Sequence, residues 1–126
     1  MPEVTALYAG ILGLMVIVLA TFPGLKRGKL GIGAGNSGNE ELELAMRRHG
    51  NFVEWVPLVL ILIGLLELRG VGSNVIHGMG AGLVVARFLH AIGISHTPGG
   101  AARSIGAAAT ALITAVCSIW LIVGSF

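Results

Sequence analysis

Arg47, Asn51 and Glu54 stand at i, i+4 and i+7, with Leu58 at i+11, inside the stretch RRHGNFVEWVPL. On a helix that spacing is a single stripe. Two other pieces of sequence carry related groups: Arg87 and His90 at i and i+3, and the adjacent pair Arg103-Ser104. Guanidinium groups grip carboxylates through paired hydrogen bonds, an amide both donates and accepts, and a carboxylate accepts from an ammonium. Because arginines outnumber the one carboxylate, Glu54, a pocket built from these residues is net positive and takes an anion. A ligand with carboxylates, an amino group and peptide bonds would use all of them. No His/Glu spacing suggests a metal site, and the chain has no phosphate loop, nucleophile elbow or nucleic-acid-binding module.

The elements that must position these groups are set by an unusual composition. The 126 residues are 55% hydrophobic and only 11% charged, with a mean hydropathy of +0.89. A water-soluble domain of this size has too much surface to hide that much apolar side chain, so the natural solvent is lipid. Four apolar segments follow: about 2–23, ending at Pro23-Gly24; 40–67, kinked at Pro57; 74–95, rich in Gly and Ala; and 103–125. Each approaches the roughly 20 helical residues that a span needs. The second begins at the acidic run Glu40 to Glu43, which suits a helix N-terminus, with Asn39 as its cap. The fold class is therefore an all-α integral membrane protein, one four-transmembrane-helix domain over residues 1–126.

Residues 24–39 contain six glycines and read as a flexible loop. Lys26, Arg27, Lys29, Arg47 and Arg48 flank that connection, and Arg103 lies in the third. The positive-inside rule then places both connections in the cytoplasm and both termini on the non-cytoplasmic side. On this view the net charge of +2 and pI near 9.2 are topology signals and not a nucleic-acid footprint. The first segment has no basic leader region and reads as a retained helix, not a signal peptide. Gly78, Gly80, Gly82 and Gly106 suit close helix packing.

The antiparallel order brings Arg47, Asn51, Glu54, Arg87, His90, Arg103 and Ser104 to one membrane depth, where ionisable groups normally pair and mark function. Structural readings stand beside this one. Arg48, off the stripe, is a snorkelling anchor; His49 is interfacial; His77 and His96 are solvated; Cys117 is a packed helix thiol. Glu54 with Arg87 can be an ion pair that only joins helices, and Trp55 an interfacial anchor. For a pocket open to the cytoplasm on one side and to lipid on the other, glutathione fits the polar requirement and a lipophilic electrophile the apolar one. A small proton-coupled multidrug exporter using Glu54 and a non-catalytic lipid- or protein-binding scaffold are the competing functions.

The pattern Arg47-x3-Asn51-x2-Glu54-x2-Pro57, with Arg87-x2-His90 and Arg103-Ser104, resembles the MAPEG family (membrane-associated proteins in eicosanoid and glutathione metabolism), especially its small bacterial members. The resemblance implies a homotrimer in a bacterial inner membrane, with glutathione as co-substrate bound between subunits. It implies that Arg47, Asn51, Glu54 and His90 hold glutathione, and that Arg87 supports the pocket. Trp55, where eicosanoid-processing relatives have tyrosine, is a further contact on this view. Arg103 would stabilise the thiolate with Ser104 as helper, and a basic residue of the first loop, such as Arg27, would reach a neighbour's ligand. Ile94 and Gly50 likewise replace a tyrosine and an arginine of those relatives, and the lone Tyr8 lies in the first segment. The implied activity is glutathione transfer to lipophilic electrophiles or reduction of hydroperoxides.

Overall fold

The computed structural model describes residues 1–95 and 100–125; His96 lies outside the described residues. The chain is an all-α membrane bundle of α1 (Glu3–Leu30), α2 (Glu40–Leu68), α3 (Ser73–Gly93) and α4 (Ala101–Val123). Each is long and apolar enough to cross a membrane. The helices alternate in direction. α2 and α3 pack on each other and on both remaining helices, while α1 and α4 occupy opposite corners. Leu12, Phe52, Val59, Ile63, Leu83 and Cys117 are among the residues that form the core. The outer surface is as apolar as the inside: Leu14 is 68% exposed and Leu112 65%. That arrangement is stable only where the surroundings are hydrocarbon.

The first helix corrects the boundary that the sequence suggested. α1 does not stop at Pro23-Gly24 but runs to Leu30, so the connecting loop shrinks from 24–39 to the residues between Leu30 and Glu40. Pro23 removes one N–H and therefore one backbone bond, yet the helix beyond it is held from outside. Lys26 pairs with Glu41, and Arg27 donates to the Gly35 carbonyl at 3.3 Å and reaches the Met46 sulfur at 3.4 Å. Basic residues in the last turn complement the helix dipole. Gly31, at φ 66°, then ends the helix, with its own N–H and that of Ile32 both returning to the Arg27 carbonyl. The residues expected to form a flexible basic loop are thus largely helical and docked on α2.

α2 begins as its sequence indicates, with the Asn39 side chain accepting from Leu42 N–H at 2.9 Å, and it continues through Pro57. α3 and α4 sit slightly N-terminal of the expected segments: Ile94 leaves the helical region at ψ 111° and ends α3, and α4 runs over Ala101–Val123. At 1.5 Å per residue the 28 and 29 residues of α1 and α2 exceed a hydrocarbon core of roughly 30 Å by about 12 Å. Measured from Leu68, the loop-side boundary falls near His49. Arg47 therefore stands at the interface, with Asn51 and Glu54 within about two turns inside it.

At the opposite end the polar groups satisfy one another. Glu67 accepts from the N–H groups of Val4 and Thr5 at 2.8 Å each and from the Thr5 hydroxyl at 2.6 Å, tying the start of α1 to the end of α2. His77, exposed as expected, shares a hydrogen bond of 3.0 Å with Tyr8. Arg69 donates to the Leu121 carbonyl at 2.9 Å and to Ser125 at 2.8 Å. Replacing Glu67 removes the acceptor of three donors at the α1 N-terminus, two backbone N–H groups and the Thr5 hydroxyl. Glu67→Ala is expected to lower stability by about 2 kcal/mol, and Glu67→Gln by less because its amide oxygen still accepts. Thermal unfolding in detergent measures the difference.

Candidate functional site at the loop end

The apolar face of α2 points inward through Leu42, Ala45, Phe52, Val56 and Val59, all buried. At 100° per residue, Arg47, Asn51, Glu54 and Leu58 lie on the opposite side. Arg47 and Glu54 are accordingly exposed, as is Leu58. A stripe with ionisable groups thus faces outward from a helix in a lipid-facing bundle.

What anchors this stripe is Arg87. It is 2% exposed, the largest of the fully buried side chains, and its Nη2 donates to Asn51 Oδ1 at 2.6 Å. Its guanidinium also lies 5.7 Å from the centroid of the Phe52 ring, within range of a cation–π contact. The structural ion pair between Arg87 and Glu54 is not formed. With its oxygen engaged, Asn51 keeps its amide NH2 as the remaining donor. One turn beyond Arg87, His90 is 5% exposed and its Nδ1 is buried without a hydrogen-bond partner.

Arg103 is delivered by an unusually tight contact between α3 and α4. A Cβ added at Gly106 would lie 2.6 Å from the His90 backbone nitrogen, and one at Gly93 would lie 2.8 Å from the Arg103 Cα. Both distances are closer than real Cβ atoms approach, so the bare glycines allow the two backbones to touch. Gly106 was legible as a packing glycine; Gly93 was not. Gly78, by contrast, has nothing within 4 Å of an added Cβ.

Together these elements surround a cavity of about 510 Å³, within the range of small-molecule sites. Arg47, Asn51, Glu54, His90 and Arg103 all line it. Arg87 stands behind Asn51 and not in the lining. Ser104 and Trp55 are also absent from the lining and are exposed on the outer surface, Trp55 at 36%. Ser104 follows Arg103 by about 100° of helix rotation, which turns it away from α3.

The expected charge balance needs correction. Glu40 and Glu43 also line the cavity, so its carboxylates outnumber its guanidiniums. Glu43 pairs with Arg47 at 2.8 Å and accepts from Asn36 at 3.1 Å. Both glutamates continue the Arg47–Glu54 stripe toward the helix start, and the signal that would have found them is that same periodicity. The cavity is therefore matched to a ligand carrying both signs of charge, and not to a simple anion. Arg48 is also more than an anchor: its Nη2 donates to the Ile94 carbonyl at 2.7 Å, closing the end of α3.

The MAPEG family model matches residues 5–123. Over 94 residues the chain is 32% identical to the inner membrane protein YecN of Escherichia coli (strain K12), covering 74% of this chain and 71% of that protein. The same identity and coverage hold for YecN of Escherichia coli O6:H1.

The α3–α4 contact gives a direct test of how Arg103 is positioned. Gly106→Val forces side-chain volume between the two backbones and is expected to lose about 2 kcal/mol, whereas Gly78→Ala stays within about 0.5 kcal/mol of the parent. Thermal unfolding of both variants in detergent checks the contrast.

Proposed function

The chain belongs to the MAPEG family, and from that premise we propose that it is a glutathione-binding membrane protein that transfers the glutathione thiolate to lipophilic electrophiles or uses it to reduce hydroperoxides. The observation that carries this reading is the mixed-charge cavity in which Arg47 and Arg103 stand with Asn51 and three glutamates. Glutathione is a zwitterion with two carboxylates, one ammonium, two peptide bonds and a thiol. Arginines suit its carboxylates, a glutamate its ammonium, and the Asn51 NH2 a peptide carbonyl. An exporter of cationic drugs would want an isolated acid, and Arg103 in the same cavity opposes that.

Arg103 is the residue that makes the thiol reactive on this reading. It lies in the first turn of α4, so a sulfur beside it feels both a guanidinium and the positive end of a helix dipole. A thiol with an ordinary pKa near 8.5 is mostly protonated at neutral pH, and these two influences favour the thiolate. The thiolate then displaces a leaving group from, or adds to, an electrophile arriving from the lipid. His90 adds a ring nitrogen at the cavity wall, and Arg87 acts through Asn51 as a positioning residue. The outward-facing stripe of α2 supports a homotrimer with the ligand held between neighbours. By the distribution of its basic residues, we place the loop end in the cytoplasm and both termini outside, in a bacterial inner membrane like that of YecN.

Titration of detergent-purified protein with glutathione, followed by conjugation of a generic aromatic electrophile, tests the proposal. Saturable binding, a thiolate absorbance and turnover are expected. Arg103→Ala should lose the thiolate signal and at least about tenfold in kcat/KM, the loss of one charge-assisted contact. Absence of glutathione binding at millimolar concentration refutes the reading, and binding without turnover leaves the non-catalytic scaffold.

A further inference from the structure

A second feature, independent of the cavity, lies on the outer side of α1 and α3. There the two helices leave a groove of about 780 Å³, lined by Leu14, Val18 and Phe22 from α1, by Phe88 and Ile92 from α3, and at its loop end by Arg48. The apolar residues are far from buried: Leu14 is 68% exposed, and Phe22, Phe88 and Ile92 are each 56% exposed. Between Ile11 and Phe22 the groove follows α1 for about 16 Å at 1.5 Å per residue. It is a trough open to lipid along its length.

Its polar end is unusual. Arg48 spends Nη2 on the Ile94 carbonyl, its buried Nε has no hydrogen-bond partner, and neither described ion pair includes it. Past Arg48 and Phe22 the trough meets a smaller hollow of about 350 Å³ where Lys26 is paired with Glu41, which leaves Arg48 as the cation facing the trough. A guanidinium near the membrane boundary without a carboxylate partner can take an anion from outside the chain as its counter-charge. Basic pockets between helices, with apolar walls running into the bilayer, recognise anionic lipid headgroups by this combination.

We propose that the α1–α3 groove is a binding site for an anionic phospholipid of the surrounding bilayer, with one acyl chain in the trough and the headgroup phosphate accepting from Arg48. The lipid reaches the site sideways, from the leaflet on the α1–α2 loop side, and stays clear of the polar cavity on the other side of Ile94. Charge complementarity selects the headgroup, and the apolar walls set the depth of the chain.

The experiment is lipid retention by the full chain. Delipidated protein in mild detergent is exchanged against phosphatidylglycerol or phosphatidylcholine, and bound lipid is counted by native mass spectrometry. About fivefold preferential retention of phosphatidylglycerol is expected, the discrimination that one basic residue near a membrane surface supplies. Arg48→Ala should abolish the preference and Arg48→Lys should keep most of it. Val18→Trp fills the trough without touching a charge and should lose retention of both lipids, which keeps the test decisive if Arg48→Ala does not fold. Equal retention of the two lipids, or a preference unchanged in Val18→Trp, overturns the proposal. So does an intersubunit disulfide in Val18→Cys, which would show a second copy of the chain in the groove.

Discussion

A guanidinium enclosed in a membrane bundle has to be held by the protein itself, and the way Arg87 is held fixes much of the loop end. Its bond to Asn51 and its position over Phe52 couple α3 to α2 at one register. Any slide of one helix along the other would strand the charge, at a cost of several kcal/mol. The same bond decides which atoms of Asn51 remain available and places His90 one turn further along the cavity wall. Arg87 thus shapes the cavity without lining it.

The two ends of the bundle treat polar groups in opposite ways. At the far end Glu67, Tyr8, His77 and Arg69 are committed to partners that close helix ends or join neighbouring helices. At the loop end exposed Arg47, Glu54 and Arg103 surround open volume. Arg47 there is paired with Glu43, but open volume bordered by ionisable groups near hydrocarbon suits an occupant from outside the chain, which makes the loop end the candidate functional end. The tight α3–α4 contact at Gly93 and Gly106 serves this asymmetry by carrying the start of α4 against α3.

Arg47 and Arg48 illustrate how adjacent residues acquire different work. Arg47 lies on the outward stripe with Glu43 and faces the polar cavity. Arg48, turned by about 100°, reaches the end of α3 and the apolar groove beside α1. One helix start thereby separates the polar cavity from a surface that faces lipid.

Much of this was legible in the sequence. Four apolar runs determined four spans, because only helices satisfy backbone groups in hydrocarbon. The Asn39 cap and the Arg47–Asn51–Glu54 stripe followed from local spacing. Periodicity, however, says which residues share a face of one helix and not what that face meets. Only the tertiary structure decided that α1 continues past Pro23, since docking on Glu41 and Met46 outweighs the one lost backbone bond. It likewise decided that Arg87 pairs with Asn51 and not Glu54, that Glu40 and Glu43 enter the cavity, and that Trp55 and Ser104 face outward. Those outcomes depend on distances between helices, which arise from packing and are encoded in no single segment.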